Sequence, residues 1–282
     1  MEANLPGFIG CSAGYAEAHA VLFGAPFDST TSFRPGTRFA PSAVRNESFG
    51  IETYSPYQDR DLEDIAVFDA GDLELPFGNA CAALRITEEA ASGILDDGKT
   101  PCLIGGEHLV TLGSVRACAK KYPDMRLIQF DAHADLRGDY MGEKLSHASV
   151  IRRCWELLGD GRIYQFGIRS GSREEMAWSH GHTKMEKFRA ESISAAAEEI
   201  GSAPVYITLD LDVTDPSEFP GTGTPEAGGL RFAELLDALL VLRGLNVKAF
   251  DICELSPHYD SSGVSTAFAC KILREMLLAY IR

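Results

Sequence analysis

The chain is short of several things, and each shortage closes off a class of function. It has no excess of positive charge: 41 acidic residues stand against 26 lysines and arginines, a formal net charge of -15. Such a surface repels nucleic acid and anionic membranes and favours cationic ligands. No apolar run approaches the length of a membrane span. The N-terminal stretch shows no basic region followed by an apolar one, so a cytoplasmic protein without nucleic-acid or membrane partners is expected. There is no CxxC pair, and the seven cysteines (Cys11, Cys81, Cys102, Cys118, Cys154, Cys253 and Cys270) are odd in number. Cys102 and Cys253 sit in apolar runs, where cysteine packs as a small hydrophobe. That argues for a reducing compartment and against a disulfide framework. Repeats, linkers and low-complexity tracts are also missing, so residues 1–282 are expected to form one domain, with 1–18 as an N-terminal arm or loop.

What is present is an alternation of apolar runs and helical patterns. Ala20–Pro26, Ile65–Asp72, Thr100–Gly106, Met125–Phe130, Arg162–Gly167, Val205–Asp210 and Val247–Cys253 read as strands. Ala80–Leu95, Leu109–Lys121, Leu145–Leu158, Leu230–Leu242 and Val264–Ile281 carry helical spacing. The strands are continuous apolar runs rather than alternating ones, as in a parallel sheet covered on both faces. The expected fold is therefore α/β with a mainly parallel central sheet.

In such a sheet, ligands bind beyond the carboxyl ends of the strands, and the polar residues of this chain collect there. One strand delivers Gly105-Gly106-Glu107-His108. The next delivers Asp131, His133 and Asp135 at alternate positions, which share a side if the backbone stays extended, and which a loop would also gather. A third delivers Asp210 and Asp212, and a fourth Glu254. Several buried carboxylates repel one another unless a cation lies between them, so a metal site explains four such ends better than chance does. A carboxylate-rich set with two histidines and no useful thiolate suits Mn²⁺ or a similar ion. The number of carboxylates suggests a pair of ions, which when about 3.5–4 Å apart can activate a shared water for hydrolysis.

These motifs carry a resemblance. Gly105-Gly106-Glu107-His108, Asp131-Ala132-His133-Ala134-Asp135, Ser146-His147-Ala148, Asp210-Leu211-Asp212-Val213-Thr214-Asp215-Pro216, Pro220-Gly221-Thr222-Gly223-Thr224-Pro225 and Glu254-Leu255-Ser256-Pro257 resemble the ureohydrolase family, whose members include arginase and agmatinase. The stretch from Gly24 to Arg38 also resembles agmatinase, so the likeness runs in family order from about Val21 to the C-terminus. It implies a three-layer α/β/α fold, two Mn²⁺ per chain, and hydrolysis of a guanidino compound to urea and an amine. It further implies that His108, Asp131, Asp135 and Asp210 hold one ion, and that Asp131, His133, Asp210 and Asp212 hold the other. Asp135 would orient the attacking water, His147 would shuttle a proton, and Glu254 would bind the guanidinium. A homo-oligomer, trimer or hexamer, is implied as well.

Within that family the chain is most like agmatinase. Arginase-like chains carry acidic residues soon after the tripeptide matching Gly167-Ile168-Arg169, whereas here Ser170, Gly171 and Ser172 follow. The expected substrate is thus agmatine, a small guanidino cation. Arg137 leaves a guanidino acid such as guanidinobutyrate as the alternative, because it is able to receive a carboxylate. An inactive paralogue acting as a binding subunit is a third possibility. Ser179-His180-Gly181-His182 offers a rival shuttle histidine, but His147 follows the Asp-Ala-His motif closely and is preferred. Glu107 reads either as a partner fixing the tautomer of His108 or as a surface carboxylate. Asp69 and Asp72 have no assigned role.

Overall fold

Each apolar run of the sequence becomes a strand of one sheet in the computed structural model, which describes residues 7–282. In chain order the strands are β1 (Ala20–Ala25), β2 (Tyr54–Ser55), β3 (Arg60–Asp61), β4 (Val67–Asp72), β5 (Thr100–Gly105), β6 (Arg126–Phe130), β7 (Ile163–Ile168), β8 (Lys184–Lys187), β9 (Pro204–Asp210) and β10 (Asn246–Cys253). Strands β2 and β3 form a separate antiparallel pair. The other eight make one sheet in the order β4-β1-β5-β10-β9-β6-β7-β8, and every pairing in it is parallel. The helices are α1 (Ala40–Glu47), α2 (Ala80–Asp96), α3 (Thr111–Lys121), α4 (Val150–Leu158), α5 (Arg173–Ser179), α6 (Ile193–Ile200), α7 (Phe232–Val241) and α8 (Val264–Tyr280).

The period of two along each strand divides the core into two halves. Leu22, Ile104, Phe130, Leu209 and Ile252 point to the face covered by α1, α6, α7 and α8. Val21, Phe23, Leu103, Leu127, Tyr206 and Ala249 point to the face covered by α2, α3 and α4. The result is the expected three-layer α/β/α arrangement. Of the expected N-terminal arm, residues 1–6 lie outside the described residues. The part after them is pinned to the sheet edge, where Phe8 is buried, its N–H donates to Asp69 Oδ2 (2.8 Å), and Ser12 bridges Phe68. Strand β8 and helices α5 and α6 lie in a stretch that reads as merely polar. Lys184-Met185-Glu186-Lys187 is an edge strand without an apolar alternation, and its charges suit an edge that must not pair further.

Register is what positions the site. Ile104, Ile252, Leu209 and Phe130 stand in one row across β5, β10, β9 and β6, four adjacent strands in the middle of the sheet. One residue beyond that row come Asp210 and Asp131, and slightly further His108 and Glu254. The four polar strand ends of the sequence are thus spatial neighbours.

Candidate metal centre and active site

The parity that faces α2–α4 places polar side chains before the strands end. On β6, Leu127 is followed two and four residues on by Gln129 and Asp131; on β9, Tyr206 is followed by Thr208 and Asp210. Asp131, Asp135, Asp210, Asp212, His108, His147 and Glu254 are all buried, and His133 is half-buried. His108 Nδ1 lies 3.1 Å from Asp131 Oδ2, 3.0 Å from Asp135 Oδ2 and 3.5 Å from Asp210 Oδ2. His133 Nδ1 lies 3.0 Å from Asp212 Oδ2 and 3.5 Å from Asp131 Oδ1. Two clusters of metal-ligand type result, His108–Asp131–Asp135 and Asp131–His133–Asp212, and Asp131 belongs to both. Asp210 reaches them through the His108 contact and accepts the N–H of Asp212 at Oδ1 (2.9 Å). Cys253 also approaches His108 and Asp210, but burial pushes its thiol well above the usual range, where it is a poor ligand.

The electrostatics of the enclosure favour a cation. Burial, then the charges of Asp212, Asp131 and Glu254, push Asp210 well above the usual carboxylate range. Burial and the charge of Asp131 push Asp135 up to about 7. Burial alone would raise Asp131, but bonds and charge from His108 and His133 outweigh it and hold that carboxyl low. Both histidines, which burial would make less basic, are made more so by the carboxylates around them. Positive charge is therefore stabilised at the point where these groups meet.

A buried relay leaves Nδ1 of His108 as the nitrogen that meets a cation, proton or metal, at that point. His108 Nε2 lies 2.9 Å from Thr208 Oγ1, and the Thr208 hydroxyl donates to Asp251 Oδ1 (2.7 Å). Tyr206 donates to the other oxygen of Asp251 (2.6 Å). With its proton given to Asp251, Thr208 accepts from His108 Nε2–H. Nδ1 then faces the carboxylates, and once a metal displaces its proton the ring has the tautomer a metal ligand needs. Asp131 is braced in the same way, by Gln129 Nε2 at 2.6 Å, and Gln129 is held in turn by Gln165 at 2.7 Å. The donor set, carboxylate and imidazole with no thiolate, matches the hard-to-borderline ion expected.

Glu254 and Asp135 take left-handed backbone conformations, φ +64° and +52°, uncommon for residues with a Cβ. Glu254 Oε1 accepts the backbone N–H of His108 (2.7 Å), and burial pushes this carboxyl well above the usual range. His147 Nδ1 lies 3.8 Å from the same oxygen, and its Nε2 accepts the N–H of Ser32 (3.1 Å). Burial, then the positive charges of His133 and His108, lower its basicity to about 4. His133, Asp135 and His147 line a cavity of about 260 Å³, shared with Ser32, Arg137, Tyr140, Ser170, Glu175 and Thr224. A wider hollow of about 860 Å³ lies at the opposite ends of the strands, among Lys99, Arg243 and Lys248, and contains none of these carboxylates.

The sequence-derived candidates are thus brought together: the six expected ligands, His147 and Glu254. His180 lies exposed at the end of α5, and His182 stacks on Trp178 (4.2 Å) and bonds Asp160. Glu107 is neither a surface carboxylate nor the group fixing His108, because it is fully buried, bonds Thr30, and leaves His108 Nε2 to Thr208. Asp69 and Asp72 clamp the buried Arg45 and so belong to the packing of α1. Sequence reasoning missed Thr208, Asp251 and Gln129, and also Glu175, a buried acid just past Ser172 that lines the cavity. Arg137 lines the cavity too, 3.5 Å from Glu175 Oε2 and over the ring of Tyr140 (5.2 Å).

Comparison with known proteins agrees with this geometry. A model of the Arginase family matches residues 18–279. The chain is 47% identical to an agmatinase of Bacillus subtilis over 279 residues, covering 98% of this chain and 96% of that one. It is 35% identical to a guanidinobutyrase of Pseudomonas aeruginosa, covering 92% and 85%. Its fold superposes on the agmatine ureohydrolase of Thermoplasma volcanium with a TM-score of 0.90 at 37% identity, covering 98% of this chain and 94% of that one. The chain belongs to the arginase family and is a ureohydrolase enzyme most like the agmatinases.

Proposed function

We propose that the protein hydrolyses agmatine to putrescine and urea, with the whole chain acting as one catalytic unit in the cytoplasm. The observation that carries this reading is the convergence of five carboxylates and two histidines at the ends of four adjacent strands, beside a cavity walled by His147. When bound, two Mn²⁺ ions, held by His108, Asp131, Asp135 and Asp210 and by Asp131, His133, Asp210 and Asp212, would make a water acidic enough to act as a nucleophile at neutral pH. The surrounding residues carry the rest.

Glu254 keeps Oε1 on the His108 N–H and has its second oxygen available for the planar guanidinium fork. In the overall reaction a C–O bond forms, the C–N bond to the alkyl amine breaks, and both protons of the water end on the leaving nitrogen. Two proton transfers are therefore required, and two groups are placed to make them. Asp135, with one oxygen not engaged by His108, takes the first proton and delivers it. His147 relays the second. At rest the Ser32 N–H occupies Nε2 and the ring's own proton sits on Nδ1, on the side of Glu254. Nε2 takes up the proton freed as the urea C=O forms, displacing the Ser32 N–H, while Nδ1 gives its own to the leaving nitrogen. The cavity suits a cationic tail because Glu175 offsets Arg137, and the protein as a whole is acidic.

The second reading, a guanidino acid as substrate, is favoured by one observation, that Arg137 lines the cavity. Urea release from agmatine and from guanidinobutyrate, in the wild type and in Arg137→Ala, separates the two. The expected result is a higher kcat/KM for agmatine that survives Arg137→Ala. A wild-type preference for guanidinobutyrate that collapses in the variant establishes the second reading instead. Glu254→Gln should lower kcat/KM by roughly 10²–10³-fold, the usual consequence of removing a buried charge partner.

A further inference from the structure

The wall of the cavity that carries Ser32 is a built structure. Asp28 knots it, accepting the N–H of Gly36 (2.8 Å) and of Arg38 (3.3 Å) at Oδ2 and pairing with Arg38 Nε at Oδ1 (2.6 Å). Its base rests on Gly106. A Cβ there would sit 2.1 Å from the carbonyl oxygen of Phe27, so only glycine lets the two backbones meet. Glu107 N–H then donates to that oxygen (2.8 Å), which brings the fully buried Glu107 under Thr30. Glu107 receives both the backbone N–H of Thr30 (2.9 Å at Oε2) and its hydroxyl (2.6 Å at Oε1). Thr30 Oγ1 in turn accepts the backbone N–H of His147 (3.1 Å), while Ser32 N–H occupies the ring at Nε2.

His147 is therefore held at two points by one loop, and that loop is anchored to one buried carboxylate. We propose that Thr30 and Glu107 are positioning residues for proton transfer, acting through His147. Neither lies among the metal-type clusters, and the hydrogen bonds of the Thr30 side chain go to Glu107 and His147. This inference rests on the reading of His147 as a proton carrier given above.

The test is made on Thr30, because Glu107 adjoins His108. Thr30→Val keeps the side-chain shape and removes the hydroxyl. With agmatine as substrate and urea as the readout, kcat should fall by about 10–10²-fold, the range expected when a catalytic group is misplaced by around 1 Å. KM and metal content should stay near wild type, and Tm should fall modestly, because the buried Glu107 Oε1 loses its hydroxyl donor. Thr30→Ser, which restores the hydroxyl, should recover most of the loss. If valine shifts the loop and lowers Tm further, Thr30→Ala against Thr30→Ser gives the same comparison. The decisive arm is the double variant. Thr30→Val in a His147→Asn background should cost nothing more, since the group it positions is gone. A near-wild-type Thr30→Val, a loss that serine does not recover, or losses that multiply in the double variant would each overturn the proposal. A near-wild-type His147→Asn would overturn it as well, and would show that the proton-carrier reading is the part that failed.

Discussion

Removing one hydroxyl beneath the carboxylates should loosen a metal that the hydroxyl never touches. Thr208 is fully buried and bonds both His108 Nε2 and Asp251 Oδ1. Valine has the same shape without the hydroxyl, so Thr208→Val isolates its chemistry. Two things are lost. The imidazole of His108 is no longer held in the tautomer that presents Nδ1 to the carboxylates, and loss of such an outer partner costs about 10–100-fold in metal affinity. That corresponds to about 1.4–2.8 kcal/mol. In addition, Asp251 Oδ1 loses its hydroxyl donor inside the core, at about 1–3 kcal/mol of folding stability. The two effects separate experimentally. Competition against a fluorescent chelator reads the first as a weaker Kd for Mn²⁺, and melting of the chelator-stripped protein reads the second. Thr208→Ser should restore both. A Thr208→Val protein with wild-type Mn²⁺ affinity would refute the tautomer argument, and a normal Tm in the stripped protein would refute the packing of Asp251.

Two further outcomes follow from the same geometry. Asp210 is held above its unfolded-state range by burial and neighbouring carboxylates, so its ionisation weakens the metal-free fold at neutral pH. Asp210→Asn should therefore raise the Tm of chelator-treated protein, by about 2–4 °C for each kcal/mol recovered, and lower the Tm of metal-loaded protein; a fall in both would show that repulsion is not what shifts Asp210. His147→Asn should reduce kcat by about 10²–10⁴-fold with metal content intact, whereas His180→Asn, exposed at the end of α5, should stay near wild type; the reverse pattern would reassign the proton carrier.

The parts of this architecture that the sequence reveals are those where chemistry interrupts a pattern. Asp131, His133, Asp210, Asp212 and Glu254 follow directly on apolar runs, so both the strands and the site are legible from one contrast. What stays hidden are polar residues inside the runs. Thr208 sits in a strand as any β-branched residue does, and Gln129 and Asp251 read as single exceptions in otherwise apolar stretches. Their meaning lies in parity: Gln129, Thr208 and Asp251 precede Asp131, Asp210 and Cys253 by two residues, so each shares a face with a residue at the site. Glu107 illustrates the other limit. Its partner Thr30 is 77 residues away, and no local pattern joins the two. The edge strand β8 escapes because its charged composition reflects protection of an edge rather than burial in a core.

Such a site conflicts with the stability of the fold that carries it, and the structure shows where the conflict is contained. Two residues at the centre, Asp135 and Glu254, hold left-handed backbone conformations that cost on the order of 1–3 kcal/mol each. Both are pinned from two sides. The carbonyl of Asp135 accepts the N–H groups of Ile151 and Arg152 (3.1 Å each) in the first turn of α4, donors a helix start otherwise leaves without partners. Glu254 donates its N–H to Gly106 O (3.0 Å) while its carboxylate takes the N–H of His108. The strained backbones are thereby fastened to the same two segments that deliver His108 and His147. A shift of either strained residue would also break the contacts that aim those imidazoles. Parallel strands make this possible: they bring the carboxyl ends of four strands to one side of the sheet, and the bonds between those ends, rather than the sheet alone, fix where the carboxylates stand.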